Sequence, residues 1–262
     1  MEIIVCVKQV PGTSEVEVDP VTGVLKRDGV ASKMNPYDLF AMEAAMSLVE
    51  QYGGSVKTLT MGPPQAMAVL RETLYMGAEQ GTLLSDRKFA GADVAATSYT
   101  LKCGVESMGT YDLILCGKQT TDGDTAQVGP EMAARLGLEH ASNVLSIEAV
   151  KDGYVTVVSD LDEKRQTQRM KLPCLLCMEK DVNTPRLPSY KRKCAVQPTQ
   201  LYTLSAADLA TLDESKCGLK GSPTQVERIF PPDKNTDKTL HEGTPEELAG
   251  MLYQTLAARK LI

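Results

Sequence analysis

The stretch from Gly117 to Gly137, GKQTTDGDTAQVGPEMAARLG, gathers residue types that can hold a phosphorylated ligand. Gly123 and Gly129 allow a close backbone approach, and Thr120, Thr121, Thr125 and Gln127 can donate side-chain hydrogen bonds. A loop that runs into a helix also offers unpaired N–H groups and the positive end of the helix dipole. Asp122 and Asp124 fit less simply, because like charges repel beside phosphate oxygens. They suit ribose hydroxyls, or the bracing of the loop through backbone N–H groups. A solvated turn around Asp122-Gly123 would have the same composition, which leaves both readings open.

Little else in the chain offers acid–base machinery. The two histidines, His140 and His241, stand in no motif, and no Gly-x-Ser-x-Gly elbow is present. GKQT lacks the glycine spacing of a Walker loop, no GxGxxG follows the first strand, and no cluster has metal-ligand spacing. Neither a catalytic side chain nor a metal site is therefore expected. Cys174 and Cys177 form a CxxC, but KLPCLLCME reads as a buried strand, where positions three apart face opposite sides. Such a pair is better suited to a core than to a metal or a disulfide.

The elements that must position the loop alternate. IIVCVK (3–8), SVKTLTMG (55–62), GTLLSD (81–86) and YDLILCG (111–117) read as strands. A small hairpin is expected at Val16 to Leu25, where Asp-Pro and Thr-Gly supply turn chemistry. Between the strands lie helical patterns at 35–54, 63–77 and 91–109, and a further helix from about Gln127 to Leu136. In the first, Asn35 is expected to cap, Pro36 to start the helix, Phe40, Ala44, Ala45 and Leu48 to line one face, and Gly53-Gly54 to stop it. This alternation predicts an α/β fold, a parallel sheet with helices on both faces. Ligands then bind beyond the carboxyl ends of the strands, where the strand order reverses. KQVPG, TMGPP and MNPYD fall at the same edge as the quoted loop. After His140, YVTVVSDL, RQTQRMKL and CLLCM read as strands without intervening helices. A long Pro-, Lys-, Thr- and Ser-containing segment follows, with little core of its own, and then an amphipathic helix over 244–262.

A net charge of −6 over 262 residues argues against a nucleic-acid binder. The start MEIIVCVKQV is too short and too acidic for a secretory signal, and no run is long enough for a membrane span. Seven scattered cysteines fit free thiols in a reducing compartment, so a cytoplasmic protein is expected.

VCVKQVP, MNPYDLFAMEAA, TMGPPQAMAVLRETLYMGA, GKQTTDGDTAQVGPEMA and KLPCLLCMEKDVNTPRLPSYKRK occur in one order. On these motifs the chain, from residue 1 to about 195, resembles the beta (small) subunit of electron-transfer flavoproteins. The resemblance implies a Rossmann-like, adenine-nucleotide-binding domain over 1–195. Residues 196–262 would form a mostly irregular C-terminal arm and helix packing on an alpha subunit that carries its own FAD. By position, the nucleotide site would comprise Cys6, Asn35, Pro36, Tyr37, Asp38 and Met61, with the loop Gly117, Lys118, Gln119, Thr120, Thr121, Asp122, Gly123, Asp124, Thr125, Ala126, Gln127 and Val128 around phosphates and ribose. Simple carriers of the family hold AMP there, and electron-bifurcating members a second FAD. DGDTAQVGPE resembles the bifurcating and nitrogen-fixation-linked form. That implies NADH as hydride donor. One electron would pass to the alpha-subunit FAD and an acyl-CoA (butyryl-CoA-type) dehydrogenase, the other to ferredoxin or flavodoxin.

NTPRLPSYKRK, at about 183–194, matches the family's recognition loop, which implies Leu187 as the anchor in a dehydrogenase pocket. Pro185 and Pro188 would stiffen it, and Arg186, Lys191, Arg192 and Lys193 could steer an acidic partner. Two alternatives remain: a simple carrier whose AMP is structural, and a non-redox adenine-nucleotide sensor that forms a homodimer.

Overall fold

The structure, a computed structural model, describes residues 1–12, 32–227 and 238–262. The hairpin expected at Val16 to Leu25 lies outside them. Contacts divide the chain into two units, Met1–Glu227 and Arg228–Ile262.

The first unit is built on a nine-stranded sheet. Its strands are β1 (Glu2–Cys6), β4 (Ser55–Met61), β5 (Gln80–Leu84), β6 (Leu113–Gly117), β7 (Glu139–Lys151), β8 (Tyr154–Asp160), β9 (Arg165–Lys171), β10 (Cys174–Met178) and β11 (Leu201–Leu204). Their order is β11-β5-β4-β1-β6-β10-β7-β8-β9, parallel as far as β7 and antiparallel beyond it. A two-stranded ribbon, β2 (Gln9–Pro11) with β3 (Ser32–Met34), stands apart from the sheet.

β1, β6 and β10 are apolar runs because helices cover both faces of the parallel strands. Side chains from α1 (Pro36–Tyr52) and α2 (Met67–Met76) form one core, around Met42, Leu70, Leu74, Ile3 and Leu115. Side chains from α3 (Val94–Ser107) and α4 (Val128–Leu136) form the other, around Leu101, Met132, Ile4 and Leu175. Cys174 belongs to the first core and Cys177 to the second, so the CxxC thiols do face opposite sides.

The chain leaves β1 for β4 and β5 on one side and returns to β6 on the other. Strand order therefore reverses between β1 and β6. The connection after β1 leads to α1 on one face, while that after β6 leads to α4 on the other. Ligands of doubly wound sheets bind in the crevice at such a reversal.

Four features differ from the sequence reading. β7 was not foreseen, because its register shifts at Val144/Ser146 and Ile147/Ala149 break the two-residue period. β10 returns from the β7–β9 excursion to lie parallel between β6 and β7. β11 adds an edge strand beside β5 from within the segment that looked coreless. Finally, α1 buries more than one face: Ala41, Met42, Glu43 and Met46 are enclosed, whereas Phe40 is only partly so. Ala41, Met42 and Met46 join the core against the sheet and α2, while a strap crosses the helix, where Asn183 Nδ2 donates to Phe40 O at 3.0 Å and Arg186 grips Glu43.

In the second unit, α6 (Pro245–Ala258) starts at Thr244, whose hydroxyl accepts from Glu247 N while Glu247 accepts from Thr244 N.

Candidate functional site

β1 ends at Cys6, in register with Leu59 of β4 and Cys116 of β6. Lys8, two residues on, places its backbone N–H 2.7 Å from Asp38 Oδ2, and its carbonyl accepts from Asn35 N at 2.9 Å. This fixes the start of α1 against the end of β1. Asn35 stands at the N-cap position of α1, but its side chain does not cap; Pro36 at the first helical position has no N–H to offer. Instead Asn35 Nδ2 donates to Asp38 Oδ1 and to Gln119 O, both at 2.9 Å, and its Oδ1 accepts from Thr121 N at 3.2 Å. One buried amide thus ties α1 to the loop after β6.

The loop approaches α1 so closely that a Cβ on Gly117 would lie 2.5 Å from Asp38 Oδ1 and 2.6 Å from Tyr37 Cβ. Beyond Gly117 the chain turns on itself: Asp124 N donates to Thr120 O at 2.9 Å, and Gln119 Nε2 bonds the Asp124 carboxylate. Asp124 and Ala126 take left-handed backbone angles, φ 55° and 53°, with which the loop enters α4. Residues Thr121 to Thr125 are exposed.

The charges come in two pairs. Lys8 Nζ lies 2.8 Å from both carboxylate oxygens of Asp122, and Lys118 Nζ lies 2.7 Å from Glu179 Oε2. Burial pushes the Asp122 carboxyl up, but the Lys8 ammonium and the Thr120 hydroxyl outweigh it and hold it below the ordinary range. Glu179 behaves alike, burial being outweighed by Lys118 and the Lys180 N–H. Asp38 is the opposite case. Burial lifts it to about 7, against hydrogen bonds from Asn35, Lys8 and Gly117 that favour the charged form. Beneath them, the Cys116 thiol is pushed up by the neighbouring Cys6 thiol and by burial, which leaves Cys116 a poor nucleophile.

The structure therefore brings Asn35, Asp38, Gln119 and Thr121 into direct contact, with Pro36, Tyr37 and Gly117 packed against them and Asp122 joined through Lys8. Cys6 lies below, beside Cys116. Met61 ends β4 one strand further out, partly buried. Thr125, Ala126, Gln127 and Val128 lie where the loop enters α4. Lys118 turns towards Glu179, and its N–H bonds Met178 O at the end of β10. Sequence reading missed Glu179 and the individual role of Lys8. Each pair joins segments more than sixty residues apart, which no local spacing reveals.

Gln127, at the head of α4, makes no side-chain cap, which leaves first-turn N–H groups of the kind that suit an anion. Asn35, Thr120 and Thr121 add polar groups at the rim. Among the described residues no three His, Cys, Asp or Glu side chains gather as a metal site, and no helix is long and apolar enough to cross a membrane.

On the other side of α1, the strap carries Leu187 and Tyr190 outward, 87% and 79% exposed. Ser189 N donates to Tyr75 O at 2.9 Å, and Ser189 caps the short helix α5 (Tyr190–Ala195), on which Lys191 and Arg192 are exposed. Arg186 turns inward to Glu43 and Glu50.

The fold and this loop define a doubly wound α/β chain with a crevice at its strand-order reversal. A profile of the electron transfer flavoprotein domain matches residues 22–206. The chain is 43% identical over 244 residues to protein FixA of Azorhizobium caulinodans, covering 91% of this chain and 87% of that one. It is 41% identical over 264 residues to the caffeyl-CoA reductase-Etf complex subunit CarD of Acetobacterium woodii, with both chains fully covered. It is 39% identical over 272 residues to the electron transfer flavoprotein subunit beta of Megasphaera elsdenii, again with full coverage of both. The chain belongs to the electron transfer flavoprotein family, among its beta subunits.

Proposed function

We propose that this chain is the beta subunit of a heterodimeric, electron-bifurcating electron-transfer flavoprotein, working in the cytoplasm, and that its crevice holds a second FAD. The carrying observation is the loop after β6. It is open and polar, leads into an uncapped helix, and is fastened to α1 through Asn35. The DGDTAQVGPE form of that loop favours the bifurcating reading over a simple carrier with structural AMP, and full-length similarity to a subunit of a caffeyl-CoA reductase-Etf complex supports work beside an enzyme acting on a CoA thioester. When bound, the flavin would take a hydride from NADH and send one electron to the FAD of the alpha subunit and one to ferredoxin or flavodoxin.

The chain's own part is to bind and orient. Donors at the start of α4 would hold the phosphates, Asn35 and Asp38 set the loop's position, and Cys6 and Met61, at the ends of β1 and β4, would contribute to the nucleotide site. Leu187 offers an apolar anchor to an acyl-CoA dehydrogenase, with Lys191 and Arg192 beside it, while α6 and the residues before it pack on the alpha subunit.

The test is the nucleotide released by acid from the heterodimer, counted per complex. Two FAD and no AMP are expected; one FAD and one AMP would leave a simple carrier and sink the bifurcating reading.

A further inference from the structure

The two ion pairs at the crevice mouth are not equivalent. Glu179 is the more enclosed acid, its side chain 15% exposed. Its second oxygen accepts from Lys180 N at 2.9 Å, and its backbone N–H is tied to Val144 O of β7 at 3.0 Å. It is held from three directions. Asp122 is more exposed, its side chain 32% exposed, and is held by Lys8 with the Thr120 hydroxyl beside it. Both its oxygens rest on Lys8 Nζ, and it sits in the exposed stretch Thr121 to Thr125. At the neighbouring Gly123 an added Cβ would meet Thr120 Oγ1 at an ordinary contact distance of 3.4 Å.

Lys8 is fixed at its root, and its ammonium is paired with Asp122. Its backbone N–H and carbonyl are both engaged, by Asp38 and by Asn35. Its ammonium lies in the reversal of strand order, and its carboxylate partner sits on the loop that leads to the uncapped start of α4. A phosphate drawn to those N–H groups meets the Asp122 carboxylate as a like charge and the Lys8 ammonium as an opposite one. A phosphate dianion carries twice the charge of a carboxylate and so competes with it for that ammonium.

We propose that Lys8 is a phosphate-binding residue of the crevice and that Asp122 is its displaceable counter-ion, exchanged when a nucleotide phosphate enters. The inference rests on the reading that the crevice takes an adenine nucleotide, and it adds which cation meets the phosphate and what must leave. No covalent step is involved.

The experiment uses the full chain, produced with its alpha subunit and freed of nucleotide, with AMP and adenosine as probes in equilibrium binding. Lys8→Gln should weaken AMP about tenfold, the size of one charge-assisted bond, and change adenosine less than about twofold. Asp122→Asn should act in the opposite direction and tighten AMP, because the competing charge is gone. The difference between the two variants should shrink as salt is raised.

If the pair only fastens the loop, both variants weaken AMP and adenosine together, and the proposal fails. Unchanged AMP affinity in Lys8→Gln also overturns it. If the wild-type protein binds neither probe at this crevice, the nucleotide reading falls first and takes this proposal with it. Adenosine binding reports whether each variant keeps the crevice intact.

Discussion

Arg186 meets Glu43 as a fork on a forked acceptor: Nε donates to Oε2 and Nη2 to Oε1, each at 2.9 Å, and the Arg186 backbone N–H adds a third bond to Oε2 at 2.8 Å. Burial pushes the Glu43 carboxyl up, but the guanidinium outweighs it and leaves the group below the ordinary range. The pair clamps the strap to α1 immediately before Leu187.

The clamp separates two kinds of variant. Arg186→Ala should lower unfolding stability by about 2 kcal/mol, the scale of hydrogen bonds to a charged, partly buried partner. Arg186→Lys should recover only part of it, since an ammonium cannot make the fork. Leu187→Ala should leave stability within about 0.5 kcal/mol, because the side chain touches little of its own chain. It should slow electron delivery to the dehydrogenase without loss of flavin. Urea unfolding and a coupled dehydrogenase assay check the two arms. A Leu187→Ala protein that loses flavin or unfolds early would make the loop structural.

Asp38 predicts the pH dependence. Its folded pKa is raised to about 7, so between about pH 4, the unfolded value, and pH 7 the native chain binds the extra proton. Stability from this group is full below the unfolded pKa and is lost as pH rises through 7. The slope approaches about 1.4 kcal/mol per pH unit. Asp122, Glu43 and Glu179, held low, act with the opposite sign and only in acid. Asp38→Asn should be less stable at every pH, since an amide nitrogen replaces an acceptor, but flatter across the window. Unfolding curves from pH 4 to pH 8 decide it, and an unchanged slope would mean that Asp38 is ionised throughout.

Gly129 predicts a steric dependence. A Cβ there would fall 2.5 Å from Cys177 Sγ, at the point where α4 lies on β10. Gly129→Ala should cost about 1–3 kcal/mol and weaken nucleotide retention by lifting the start of α4. Adding Cys177→Ala should restore part of both, because the obstructing sulfur is gone. A double-mutant cycle that shows no coupling would place the strain elsewhere.

Much of this was legible in the sequence. The glycine-stopped helices and apolar strands alternate regularly enough to put the Gly117 loop at the sheet's carboxyl edge, and the spacing of Cys174 and Cys177 gave their opposite faces. The remainder depended on long-range pairing. Asn35 looked like a cap because caps are local, yet its amide is used on a loop more than eighty residues away. Arg186 looked like one charge of a basic run that could steer an acidic partner, because the two glutamates that hold it lie on α1. LYTL became β11 only because the β5 edge was open to it, and four residues carry no readable period.

β10 lies between β6 and β7, so the middle of the sheet is completed by a strand made late in synthesis. When residue 173 has been added, β6 and β7 each still lack their shared neighbour. The growing chain then carries an open slot, lined by unpaired backbone and by apolar side chains of both cores. Exposed edges of that kind attract other strands. A polypeptide stopped short of Cys174 is thus a sheet with its keystone missing, and the five residues CLLCM close both gaps at once.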